Sequence, residues 1–145
     1  MNKGYEDVLS SISSSNPTPG GGSVSALILS HAHSLATMVA RLTSGRDKWS
    51  DGQGIAEEII SKSEESIETS LRLAKEDALA FDSVMNSYRL PKDTDELKET
   101  RKEAIFDSTI NAASVPLEIM HEASNLLNDI INLAKFGNLN ALTDL

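Results

Sequence analysis

IAEEIISKSEESIETSLRLAKEDALAFDSVMNSY, Ile55–Tyr88, decides the fold. Neither proline nor glycine interrupts it, and Ile55, Ile59, Ser63, Ile67, Leu71, Ala74, Ala78, Phe81, Met85 and Tyr88 recur in steps of three and four. That spacing puts them on one face of an α-helix and on both faces of a strand, so it predicts a helix. At about 1.5 Å per residue the helix runs on the order of 50 Å. Upstream, past a polar loop at residues 46–54, a second helix is predicted over Val24–Ser44, with Val24, Leu27, Ile28, His31, Leu35, Met38, Val39 and Leu42 along its inner face. Ala32, Ala36 and Ala40 form a ridge of small residues that lets a neighbouring helix approach closely. Gly45 is placed to end this helix in the left-handed conformation. Residues 4–15 form a short amphipathic helix. Between it and the second helix lies Asn16-Pro17-Thr18-Pro19-Gly20-Gly21-Gly22-Ser23, where prolines forbid helix, glycines open dihedrals that other residues avoid, and Ser23 is an N-cap candidate.

Downstream, Pro91 stops the long helix and Thr94 is placed to cap the next. Its stripe runs Leu97, Arg101, Ala104, Ile105, Ser108, Ala112 and Val115, and Pro116 is expected to kink or restart it. The pattern resumes through Ile119, Ala123, Leu126, Leu127, Ile130 and Leu133 to a break at Gly137. Residues 138–145 read as the start of another element, capped by Thr143 or Asp144, where the sequence stops; a truncated chain, an unobserved tail or a naturally shortened chain is expected. No strand alternation occurs. The fold class is all-α, an elongated helical bundle around one long central helix.

Composition narrows the function. The 145 residues suffice for one domain with a core. Aromatic residues are 4%, so Ala, Leu, Ile and Val must build that core. Without cysteine, disulfides, thiolate nucleophiles and Cys-based metal sites are excluded. No apolar run is read as approaching the roughly 20 residues that span a bilayer. The first ten residues carry Glu6 and Asp7 and lack a signal-peptide core, so no membrane partner and a cytoplasmic location are expected. A net charge of −9 argues against nucleic acid, since phosphate binding needs a basic field. His31 and His33 stand two apart on one helix and His121 is alone, which gives no metal constellation.

Pro-Gly-Gly-Gly-Ser feeding a helix is a ready site for close backbone approach, because the first-turn N–H groups are unpaired. Taken alone it is equally a linker: it has no Walker lysine and no preceding strand. Pro17-Thr18-Pro19-Gly20-Gly21-Gly22-Ser23-Val24 does, however, resemble the signature of the cyclodeaminase/cyclohydrolase family. So do Leu42-Thr43-Ser44-Gly45-Arg46, Asp77-Ala78-Leu79-Ala80-Phe81, Tyr88-Arg89-Leu90-Pro91-Lys92, Val115-Pro116-Leu117, and Gly137-Asn138 with Ala141 and Asp144. The six segments keep the family's order and spacing over nearly the whole chain.

This family comprises methenyltetrahydrofolate cyclohydrolases, formiminotetrahydrofolate cyclodeaminases and the C-terminal half of the bifunctional formiminotransferase-cyclodeaminase. The resemblance implies a helical subunit working as a homodimer, with a tetrahydrofolate derivative bound between helices as substrate and no separate cofactor. It implies that Asp77 is the catalytic acid/base. Residues in or beside the other motifs become the candidate substrate-binding set: Pro19, Gly20, Gly21, Gly22, Ser23, Arg46, Lys48, Arg89, Lys92, Pro116, Asn138 and Asp144. It also implies one domain over residues 1–145 that lacks a further C-terminal stretch of helix.

On the helix wheel Asp77 lies on one shoulder of the apolar stripe and Asp82 on the other; the wheel does not choose between them. A carboxylate suits the chemistry, since the methenyl bridge of the substrate is an amidinium cation and its hydrolysis needs one acid/base. Arg46, Lys48, Arg89 and Lys92 each follow a helix end, where cations offset the dipole. As a set they are the candidates to hold a folate's glutamate tail against the net negative charge. The expected function is cyclohydrolase, with cyclodeaminase as the alternative and an inactive helical scaffold as the rival from another class.

Overall fold

The computed structural model describes residues 3–145. Four helices, α1 (Lys3–Ile12), α2 (Gly21–Thr43), α3 (Gln53–Tyr88) and α4 (Asp95–Phe136), are joined by short segments; Asp47–Gly52 and Leu139–Asp144 form 3-10 turns, and no strand occurs among the described residues. The all-helical reading holds. The chain divides into two compact units: residues up to Ala26 with Arg72–Glu118, and Leu27–Leu71 with Ile119–Leu145.

In the first unit, Ser23, Ala26, Leu73, Ala74, Ala80, Ser87, Ser108 and Val115 are buried. Thr94 caps α4 as expected, its Oγ1 accepting from the Leu97 N–H at 3.2 Å. Arg101 reaches back to the end of α3, where its guanidinium donates to the Tyr88 carbonyl at 3.1 Å and stacks over the Tyr88 ring. That pair closes the α3–α4 turn around Pro91. Arg72 bridges Glu76 and Glu118 at 2.7 and 2.8 Å on the exposed side.

The second unit is built on Val39, Ala40, Ala56, Ile59, Leu133 and Ala141. Gly45 ends α2 with φ +71°, the conformation its placement predicted. The Gln53 side chain ties this loop down, accepting from the Gly45 N–H at 2.8 Å and donating to the carbonyls of Thr43 and Trp49. His33 on α2 is half-buried, with an Nε2 that has no hydrogen-bond partner. Burial pushes its imidazole below the ordinary range, while Glu122 and Asp129 of α4 pull it back up. Asp129 is itself pushed up by burial and by Glu58 of α3, against Lys62 and His33.

Several expectations are corrected. On α2 the buried residues are Ser23, Ala26, Leu29, Ser30, Ala36, Thr37, Val39, Ala40 and Thr43, whereas Ile28, Leu35, Met38 and Leu42 are exposed. The helix turns its small residues inward because close helix approach leaves no room for large ones. On α3 the buried residues are Ala56, Ile59, Ser63, Ser70, Leu73, Ala74, Ala80 and Ser87; Ile59, Ser63 and Ala74 lie on the expected stripe, while Leu71, Phe81 and Met85 are exposed. Helix α4 runs through Pro116 as one element, so the helix does not restart there. A proline removes one N–H from the ladder, and a helix of 42 residues keeps the rest. Finally, α2 is long and apolar enough to cross a membrane by length and composition, contrary to the sequence reading; 44% of the apolar window is buried within the protein.

Candidate active site

The glycine-rich segment and the middle of α3 meet in the first unit. Pro17, Thr18, Gly20, Gly21, Gly22, Asp77, Phe81, Val84 and Ala112 line a cavity of about 400 Å³. Helix α2 begins at Gly21, and the Val24 N–H closes its first bond on the Gly20 carbonyl at 3.0 Å. Ser23 therefore sits inside the first turn instead of capping it, and the N–H groups of Gly21 and Gly22 precede the first intrahelical bond.

Ser23 has another task. Its hydroxyl is buried and donates to Oδ2 of Asp77 at 2.8 Å. Gly22 stands beside the same carboxylate: a Cβ there would overlap Oδ1 outright and come within 2.8 Å of Oδ2. The glycines were expected to supply unusual dihedrals, but Gly45 alone has positive φ among the described residues. At Gly22 the glycine is required for space, not for backbone conformation.

Asp77 is half-buried and lies on the inner face of α3, not on its shoulder, one turn before Phe81 and two before Val84. Those two close one wall of the cavity and Ala112 of α4 contributes another. Asp82 is exposed and borders a separate depression with Leu79, Ser83, Asn86, Ser87 and Leu90. The ambiguity the helix wheel left is thus resolved geometrically: Asp77 is the carboxylate beside the glycine loop. A cavity with apolar walls, one carboxylate and first-turn N–H groups can hold a flat cationic group against the carboxylate, which can take a proton from a water attacking that group.

The remaining candidates are distributed differently. In the first unit, Pro19 follows a cis peptide bond within the loop, Arg89 donates to Asn86 Oδ1 at 3.1 Å just past α3, Lys92 is exposed, and Pro116 is partly buried within α4. In the second unit, Arg46 flanks the turn at Asp47–Gly52 and the Lys48 ammonium lies 4.7 Å over the Trp49 ring. Asn138 there is a structural tie: its N–H donates to Thr43 Oγ1, its Nδ2 to the Leu42 carbonyl, and its Oδ1 accepts from the Asn140 N–H. Asp144 is exposed. Pro17, Thr18, Phe81, Val84 and Ala112 line the cavity and were not among the candidates. For Phe81 and Val84 the signal was available, since four and seven residues beyond Asp77 is the same helix face. Among the described residues no three His, Asp or Glu side chains could hold a metal ion.

The family model for formiminotransferase-cyclodeaminase matches residues 4–145. Over 143 residues the chain is 34% identical to the methenyltetrahydrofolate cyclohydrolase of Methylorubrum extorquens, which covers 99% of this chain and 69% of that protein. It is 32% identical over 127 residues to the formimidoyltransferase-cyclodeaminase of Rattus norvegicus, covering 88% of this chain and 24% of that one. The crystal structure of formiminotetrahydrofolate cyclodeaminase from Thermotoga maritima superposes with a TM-score of 0.83 at 29% identity, over 96% of this chain and 65% of that chain. The chain therefore spans about a quarter of the rat protein and just under two thirds of the Thermotoga one.

Proposed function

The chain belongs to the formiminotransferase-cyclodeaminase family, and from that premise we propose that it is a folate one-carbon enzyme that hydrolyses 5,10-methenyltetrahydrofolate to 10-formyltetrahydrofolate. The observation that carries this reading is the Asp77 carboxylate on the wall of the cavity, with Ser23 and Gly22 against it. The methenyl bridge is a delocalised amidinium, so a carboxylate beside it binds the ground state and is placed to act on the attacking water. Water adds to the bridge carbon while Asp77 takes its proton. The carbon–N5 bond then breaks, N5 receives that proton from Asp77, the remaining hydroxyl proton leaves to solvent as the carbonyl forms, and the formyl group stays on N10. One acid/base serves both proton transfers.

Arg89 and Lys92 are the proposed partners of the glutamate tail. Arg89 stands on the order of 18 Å along α3 from Asp77, at about 1.5 Å per residue. A ligand extended along the helix would thus keep its pteridine at Asp77 and its carboxylates at the basic end. Arg46 and Lys48 retain the same proposed role as a second basic pair.

A second reading, formiminotetrahydrofolate cyclodeaminase, is favoured by the likeness to the Thermotoga cyclodeaminase. There N10 attacks the formimino carbon and Asp77 gives its proton to the departing ammonia. Both readings are tested by supplying each folate in turn. Loss of near-ultraviolet absorbance from 5,10-methenyltetrahydrofolate above the uncatalysed rate supports the hydrolase. Ammonia release from 5-formiminotetrahydrofolate, with that absorbance appearing, supports the deaminase. Neither reaction above background rejects both and leaves the chain a helical scaffold.

A further inference from the structure

We propose that Ser23 is a positioning residue for Asp77: with Gly22 it forms a seat that holds the carboxylate in one orientation and leaves Oδ1 as the oxygen that meets the ligand. This deepens the reading of Asp77 as the acid/base and rests on it.

The two residues are consecutive in the first turn of α2 and act on one carboxylate from different sides. Ser23 is 1% exposed, so no water competes for its single proton, which goes to Oδ2 at 2.8 Å. Gly22 presents bare backbone to Oδ1, where any side chain would collide. An aspartate terminal torsion is ordinarily broad. Here one oxygen is tied by a hydrogen bond, and the carboxylate is let into space that only a missing Cβ provides. No protein donor among the described residues engages Oδ1. The two oxygens are therefore inequivalent before any ligand arrives: Oδ2 is held by the fold, and Oδ1 is free for a proton. Ser23 touches Asp77 and does not line the cavity, so it works through the carboxylate.

The seat also explains why a serine and a glycine stand at those two positions. A serine inside a first helical turn ordinarily bonds its own backbone, as Ser25 does to the Gly21 carbonyl at 2.8 Å. Ser23 instead reaches across to α3, to a residue 54 positions away.

A double-mutant cycle with Asp77→Asn tests this, read as turnover of 5,10-methenyltetrahydrofolate with melting temperature alongside. Ser23→Ala is expected to lower kcat roughly 10- to 100-fold, the scale of a misplaced catalytic group. KM should stay within about twofold and the fold should remain intact, since groups acting only through the chemical step leave ground-state binding unchanged. In the Asp77→Asn background Ser23→Ala should change kcat by less than about twofold, because residues acting as one unit are not additive. Gly22→Ala, which perturbs the seat without touching the hydrogen-bond donor, should lose kcat in the same way. Full kcat in Ser23→Ala, or single effects that multiply in the double variant, would overturn the positioning role while leaving Asp77 as the acid/base. Near-full activity in Asp77→Asn itself would instead remove the reading beneath it.

Discussion

Two carboxylates five positions apart on one helix have opposite environments, and the difference is made by residues of another helix. Asp77 faces the glycine loop; Asp82 faces outward. Asp77→Asn should therefore cut turnover by roughly 100-fold or more, the usual scale of a general acid/base, while a folate still binds. Asp82→Asn should keep wild-type turnover. The reverse result would show that the wrong carboxylate has been assigned. Gly21 offers a separate probe of the same cavity. A Cβ there meets nothing within 4 Å, so Gly21→Val fits the fold but projects beside the cavity it lines. Folate affinity measured by titration should fall at least about tenfold with little change in melting temperature, and unchanged affinity would return the segment to the status of a linker. Gly22→Val would be a poorer probe, since its side chain strikes Asp77 directly.

At the scale of elements, the helices and their ends were legible, and so was the buried face of α4, where Ser108, Val115, Ile119, Leu126 and Leu133 all lie on the expected stripe; the faces of α2 and α3 were legible only in part. Thr94, Gly45, Pro91 and Gly137 mark boundaries through local chemistry, and each is found at or beside a helix end. Asp77 and the glycine loop were legible as motifs, but the contact between them, through Ser23, depends on tertiary packing that no local pattern encodes. The parts of α2 and α3 that escaped did so for a physical reason. Hydrophobicity identifies a core made of large side chains, such as Leu126 and Leu133 on α4, whereas Ala26, Ala56, Ser70 and Ala80 on α2 and α3 are buried although small or polar. The partly buried charges follow the same logic. His33 has an Nε2 with no partner and an imidazole pushed down by burial, so protonation is resisted more in the folded chain than in the unfolded one. As pH falls through the ordinary value near 6.5 the unfolded state takes up a proton first, and stability is lost. Asp129, pushed up, contributes with the opposite sign: stability is gained as pH falls through its folded value. Melting curves from pH 7.5 to 5.5 should therefore show a loss in the wild type that is reduced in His33→Leu. An identical pH response in the two proteins would mean that His33 titrates as it does in the unfolded chain.

For the whole molecule, the same inversion of small and large residues bears on assembly. Ala36 and Ala40, part of the ridge that lets a neighbouring helix approach closely, are 0% exposed within the chain's own packing and are unavailable to a second subunit. What is available is apolar and large. In the first unit Leu79, Phe106, Ile110 and Leu117 are exposed; in the second, Ile28, Met120, Leu127 and Ile131. On α4, Phe106 and Ile110 are one turn apart, as are Leu127 and Ile131, spacing that puts each pair on one helix face. Soluble monomers rarely leave contiguous apolar patches of more than a few hundred Å² uncovered, and each such side chain gains about 1.5–3 kcal/mol on full burial. A homodimer that covers these residues is the expected state. Light scattering at micromolar concentration should return twice the 15.6 kDa of one chain. Replacing Phe106 and Ile110 together by aspartate should shift that mass toward one chain while circular dichroism still reports helix, because neither side chain belongs to the buried set. A wild-type protein that stays at a single chain's mass under these conditions would rule out the dimer, and with it any need for a second subunit at the Asp77 cavity.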